Sequence, residues 1–336
     1  MTQRLWHVFF IGLTLVQSPS RAVSQSINDV HVSPQVQRQL PKTPDDSLAI
    51  HMKPLRVNIN LVTVPVMVTD AKGSPVTDLG KKDFQLLEDS NVQPIDYFYS
   101  EDSPISVGLV VDLSSSMGNK IDRVREAVSE FFKNADPKDD YFVITFADKA
   151  KLFANTTQST ETIETQLQEL KPKGNTALAD AIFLGLDKLK SASYRRRALV
   201  IISDGGDNMS RHSLRSVKNL AKESDAQIYA VDVCDAPSLL FTKKLEEKFG
   251  RQWLTQVTEV TGGRTIAVDG AEEIPGAASQ ISRELRNQYV LGYRPASMPH
   301  ESRWRKIKVR ITRKPEPLPF QLYYRTGYMA RREDSE

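Results

Sequence analysis

Ile105-Ser-Val-Gly-Leu-Val-Val-Asp112, running into Leu113-Ser114-Ser115-Ser116, is the stretch on which the reading of this chain turns. An almost unbroken apolar run of strand length that stops at a carboxylate and a polar turn is the pattern of a buried parallel strand. The segments that follow it alternate in kind. A helix with Ile121, Val124, Val128, Phe131 and Phe132 on one face comes next, then a strand over 141–146. Helices over 160–170 and 176–189 precede a central strand, Ala198–Ile202. A helix over 213–224, a strand over 227–233, a long helical stretch over 238–260, a strand over 264–268 and a helix over 272–286 complete the series. Strands alternating with helices predict an α/β fold, with a doubly wound, mostly parallel sheet and helices on both faces.

On either side of that region the period drops to two. Val62, Val64, Val66 and Val68 share one face of a strand, and Pro65 inside it predicts an edge position. Short strands over 83–87 and 95–99 follow. Beyond Asn287, the stretches 289–293, 305–312 and 320–325 alternate again. In the middle one Ile307, Val309 and Ile311 point one way and Lys306, Lys308 and Arg310 the other, which reads as a charged edge that discourages sheet-to-sheet pairing. Each flank alone is too small for a good core. The simplest arrangement packs them together as one β-sandwich, with the α/β domain inserted between. The expected order is a signal peptide over 1–24, a polar linker over 25–54, N-terminal strands over 55–102, the α/β domain over 103–288, C-terminal strands over 289–328 and a tail over 329–336.

At 40% hydrophobic and 26% charged residues, the chain is neither a multi-span membrane protein nor wholly disordered. Its formal charge of +3 gives no footprint of nucleic-acid binding. One cysteine, Cys234, excludes an internal disulfide framework and a zinc site built on several thiolates. Arg4, the apolar run Leu5–Val16 and Ala22-Val23-Ser24 read as a secretory signal cleaved before Gln25. The apolar run falls short of the roughly 20 residues that span a bilayer, so no transmembrane anchor is expected after cleavage. The expected location is secreted, periplasmic or cell-envelope.

The chemistry gathers at strand ends. Asp112-x-Ser114-x-Ser116 closes the first parallel strand, Thr176 follows Gly174-Asn175 at a helix start, and Ser203-Asp204-Gly205 follows the central strand. Each piece alone has an ordinary reading: a turn, an N-cap, a turn. In an open α/β sheet, however, the carboxyl ends of the strands meet at the topological switch point. Two carboxylates and three hydroxyls can therefore share one solvent-facing rim. An oxygen-only set suits a hard divalent cation such as Mg²⁺, with Mn²⁺ and Ca²⁺ as alternatives.

These residues, in this order, resemble the von Willebrand factor type A domain and its metal-ion-dependent adhesion site, set on a Rossmann-like sheet over about 105–288. The resemblance implies Ser114, Ser116 and Thr176 as direct metal ligands, with Asp112 and Asp204 direct or through water. It also implies an open coordination position for a Glu or Asp carboxylate of a protein partner. The flanks, with Val68-Thr69-Asp70, Gly73-x-Pro75-Val76, Asp83-Phe84 and Glu88-Asp89, resemble secreted bacterial proteins with a variant type A domain, typical of acidobacteria.

The expected function is a secreted or envelope adhesion-type module, with an envelope assembly role and a non-essential metal as the alternative. Catalysis is not expected. No Gly-x-Gly-x-x-Gly turn follows the first strand, as a dinucleotide fold would need, and Ser114 stands where an aspartyl phosphatase wants a second Asp. A serine hydrolase needs a positioned histidine, and the α/β region has only His212, read as an exposed loop residue. Asp180 and Asp207 are read as helix-surface and loop carboxylates, and Tyr194–Arg197 as a solvated entry to a strand.

Overall fold

The computed structural model describes residues 61–101, 103–233, 241–295, 303–313 and 320–330. The expected signal peptide and linker, and Cys234, lie outside the described residues.

The strand Ser106–Asp112 (β5) is buried along its whole length, as its apolar run requires. It sits inside a six-stranded sheet in the order β10-β9-β8-β5-β6-β7. Here β6 is Asp140–Phe146, β7 Ala150–Thr157, β8 Arg197–Ser203, β9 Gln227–Val233 and β10 Thr265–Val268. All neighbours run parallel except β7, which returns antiparallel beside β6. Helices α1 (Ile121–Phe132), α2 (Thr160–Leu167) and α6 (Ile274–Arg286) cover one face, where Val124, Val128, Ile163, Ile281 and Leu285 pack on Val107, Leu109 and Val111. Helices α3 (Leu178–Leu189), α4 (Leu214–Glu223) and α5 (Phe241–Thr261) cover the other, where Ile182, Leu186, Val217, Leu254 and Val257 pack on Val110, Ile144 and Ile201. Burying this much apolar area on both faces is the main stabilising term of the domain. Among the described residues no helix is long and apolar enough to cross a membrane.

The chain leaves β5 through α1 to β6 on one side, while β8 lies on its other side. The order of strands therefore reverses between β5 and β8. Their carboxyl ends form the switch point, and that is where Asp112 and Asp204 stand.

The flanking strands form two further antiparallel sheets. One has the order β13-β1-β11-β4 and the other β14-β12-β2-β3. Strands β1 (Val62–Thr69), β2 (Phe84–Glu88), β3 (Asn91–Gln93) and β4 (Tyr97–Glu101) come from the N-terminal stretch. Strands β11 (Gln288–Tyr293), β12 (Arg303–Ile311), β13 (Gln321–Tyr324) and β14 (Gly327–Ala330) come from the C-terminal one. Each sheet thus mixes both ends of the chain. Val64, Val66, Val68, Phe84, Leu86, Leu291, Ile307 and Val309 fill the space between the sheets. Buried within that core, Glu88 accepts from Tyr293 Oη (2.6 Å) and Tyr328 Oη (2.9 Å) and pairs with Arg305.

Some expectations need correction. Strand β1 lies between β13 and β11 and is not an edge; β13 pairs only from Val66 onward, so on that flank Pro65 meets no ladder in which its missing N–H would be felt. Strand β12 is likewise interior, and its lysines lie on an exposed face. Gln288 already opens β11, and residues 329–330, read as tail, close β14. Strands β3, β7 and β14 were not expected. In β7 only Ala154 is buried, so the strand carries no apolar alternation to read.

Candidate metal centre

Three loops converge on the switch point. Leu113 N donates to Phe146 O (2.7 Å), so the Asp112 loop leaves its sheet along β6. Ser115 N donates to Gly174 O (3.0 Å), and Gly174 N returns a bond to Ser115 Oγ (3.0 Å). Gly174 has φ +102°, a conformation that suits glycine, and a Cβ there would lie 2.8 Å from Asp148 Oδ2. Asp148 then holds Asn175 through its N–H (2.8 Å) and its Nδ2 (2.9 Å), and these bonds keep the carboxyl below the ordinary carboxylate range.

The third loop follows β8. Asn208 grips Thr176 from both sides: its Oδ1 accepts from Thr176 N (2.9 Å), and its own N–H donates to Thr176 O (2.9 Å). The first turn of α3, whose N–H groups lack helical partners, is capped from the same loop. Ala179 N donates to Asp207 Oδ2 (3.1 Å) and Asp180 N to Ser210 Oγ (3.1 Å). Burial pushes the Asp207 carboxyl up. Asp180 is buried as well, yet its carboxyl is held low, because bonds from His212 and Arg211 outweigh the cost of burial.

Asp180 is therefore a buried structural anchor and not a helix-surface carboxylate, while Asp207, in its loop as expected, caps α3. His212 is anchored too, with Nδ1 2.7 Å from Asp180 Oδ1 and its ring stacked on Phe183 at 3.9 Å. Arg196, expected in a solvated entry, reaches the carbonyls of Ser103 and Leu285.

Within this frame Ser114 Oγ and Ser116 Oγ stand 3.0 Å apart. Asp112 Oδ1 accepts from Ser114 N (2.8 Å), and Oδ2 accepts from Ser203 Oγ (2.6 Å). A Cβ on Gly206 would lie 3.5 Å from Asp204 Oδ1 and 3.9 Å from Thr176 Oγ1, so both oxygens border the small space that this glycine leaves open. Burial grades outward: Asp112 and Ser114 are buried, Asp204 is half-buried and Ser116 is exposed. Asp112 was expected on a solvent-facing rim; it is wholly buried, because β5 carries it into the sheet interior.

Burial, with the Asp204 charge second, raises the Asp112 carboxyl to about 7. Among the described residues no Lys or Arg forms an ion pair with Asp112 or Asp204. Nor do three His, Cys, Asp or Glu side chains gather at one point among them, so hydroxyls would have to complete any metal shell here. A buried carboxylate that pairs with no described Lys or Arg, a second carboxylate and three hydroxyls fit a hard divalent ion. Sequence reasoning missed Ser203, Asn208 and Asp148, which hold the donors without belonging to the pattern. Asn208 stands in a loop dense in Asp, Asn and Ser, whereas Ser203 closes β8 and Asp148 sits in the short turn between β6 and β7.

Residues 107–206 match the family model described as von Willebrand factor type A domain. Over those residues the chain is matched as a von Willebrand factor type A domain. It is 23% identical over 196 residues to an uncharacterized protein of Borreliella burgdorferi, covering 52% of this chain and 57% of that one. It is 24% identical over 141 residues to human inter-alpha-trypsin inhibitor heavy chain H4, covering 38% of this chain and 15% of that one. The chain thus spans little more than half of the first relative and a small part of the second. Among solved structures, a von Willebrand factor type A protein from Catenulispora acidiphila matches at 8% identity and a TM-score of 0.48, covering 83% of this chain and 76% of that one. The hypothetical protein BatB from Bacteroides thetaiotaomicron matches at 19% and 0.43, covering 54% and 98%.

Proposed function

We propose that this chain is an exported protein-binding module that holds a divalent cation and engages an acidic group of a partner protein through it. The observation that supports the reading is a buried carboxylate, Asp112, that forms no ion pair among the described residues, with Ser114, Ser116 and Asp204 close to it and Thr176 beside Asp204. Ser114, Ser116 and Thr176 supply neutral oxygens, and Asp112 and Asp204 supply the charge. Bound there, Mg²⁺, or Mn²⁺ or Ca²⁺ in its place, would act as a Lewis-acidic bridge to a Glu or Asp carboxylate.

Binding is favoured over catalysis because His212 is committed to Asp180 and Phe183. No described hydrogen bond couples it to a serine hydroxyl, as a nucleophile would need. Export rests on Arg4, Leu5–Val16 and Ala22-Val23-Ser24.

The test is capture of partners from the source organism's envelope fraction by wild type and by Asp112→Asn, with Mg²⁺ and with chelator. A partner retained only by wild type with Mg²⁺ supports the reading. The same partner retained under every condition rejects it in favour of a metal-independent assembly role. Metal and partner should also tighten each other's binding by the same factor.

A further inference from the structure

The loop that carries Asp204 is backed by α5 at Gly250, more than forty residues further along the chain. A Cβ on Gly250 of that helix would fall 2.0 Å from the Gly205 carbonyl oxygen and 2.7 Å from its carbonyl carbon. No side chain fits such a gap, so any residue but glycine forces one of the two backbones aside.

The helix is the firmer partner. Leu254 and Val257 are buried in the core. At its end Thr261 Oγ1 accepts from Ile228 N (2.9 Å), and Val260 O accepts from Thr326 N (3.4 Å). At 204–206, ahead of the anchors that Asp207, Asn208 and Ser210 supply, the loop is held more lightly. Gly205, at φ +78°, donates to Ser203 Oγ (3.1 Å), and Gly206 N donates to Asp204 Oδ1 (3.3 Å). A residue with a Cβ at 250 would therefore move the loop, and with it Asp204 and the space beside Gly206. Glycine inside a helix weakens it relative to alanine, so this contact gives the glycine a reason to be there.

We propose that Gly250 is a positioning residue for the metal centre: the bare backbone of α5 is the wall that sets where Asp204 stands. The proposal rests on the metal reading above, and Gly250 acts only through Gly205.

The experiment is Mn²⁺ titration of the full chain, followed by the electron paramagnetic resonance of free Mn²⁺. Wild type should bind one ion saturably, and Gly250→Ala should bind it at least about tenfold more weakly. Gly263→Ala makes an equally close contact, 2.0 Å from Ile228 O, but away from the loop, and should stay within about twofold of wild type. Gly276→Ala, with nothing within 4 Å, should not differ from wild type. No saturable binding by wild type would overturn the metal reading and this proposal together. Unchanged affinity in Gly250→Ala, or an equal loss in Gly263→Ala, would overturn the proposal alone. Should Gly250→Ala fail to fold, hydrogen exchange on wild type decides. Mg²⁺ should slow the amides around Gly250 together with those of 204–206, and slowing confined to 204–206 would reject the coupling.

Discussion

Asp112 concentrates the physics of the site in one carboxyl. Raised to about 7, it keeps its proton in the folded state over a range in which the unfolded chain, with an ordinary carboxylate, has lost it. The folded state then binds the more protons, so without metal stability falls as pH rises from about 4 to about 7. A divalent cation reverses the preference by favouring the ionised form. Thermal melts should show Mg²⁺ stabilising the wild type more at pH 8 than at pH 5. Asp112→Asn keeps the shape and removes the charge. It should melt at least as high as metal-free wild type at pH 8 and should not respond to Mg²⁺ at either pH. A Mg²⁺ response of equal size at both pH values would contradict this assignment. The proposed donors were legible at this scale because their residue types and order are unusual together. Ser203, Asn208 and Asp148 were not, because a short polar side chain at a strand end or turn becomes a support only when another segment crosses it.

Among the elements, those with a strong apolar pattern were legible and those without one were not. The all-buried strand β5 and the amphipathic α1 could be read directly, because burial on both faces or on one leaves a distinct period. Strand β7 is mostly wet, with only Ala154 buried, and β14 is only four residues long, so neither gave such a signal. Arg305 is buried on the inner side of β12 with Ile307 and Val309, and nothing in the local pattern announced that burial or Glu88 as its partner on β2. That pair, with Tyr293 and Tyr328, ties β2 to β11, β12 and β14. Removing Glu88 takes from the core the carboxylate that faces Arg305. Glu88→Ala should cost about 3–5 kcal/mol in chemical denaturation, while replacing Glu88 and Arg305 together by methionine should cost far less. Equal losses in the two variants would show that packing volume, not the charge left behind, sets the penalty.

For the whole molecule, the sandwich and the α/β domain differ in what they need from the chain ends. The α/β sheet closes within 106–268, whereas each sandwich sheet needs strands from both flanks. Deleting 288–336 removes β11 and β12, which pair with β1, β4 and β2, and uncovers Val64, Val66 and Leu86. Limited proteolysis should then cut within 61–101 while 106–286 stays protected. Unchanged protection of 61–101 would show an independent N-terminal module. The sandwich also rests on the α/β domain, through Gln288 to Gln227 (3.0 Å) and Tyr323 to Arg264 (3.0 Å), away from the rim where the donors gather. Anomalous diffraction from a Mn²⁺-loaded crystal would show whether an ion sits at that rim. One peak should lie among Ser114 Oγ, Ser116 Oγ and Thr176 Oγ1 at about 2.0–2.3 Å, the range of a hard cation bound by oxygen, and should vanish in Asp112→Asn. A Mn²⁺ peak elsewhere on the chain, with only water between these hydroxyls, would contradict the account.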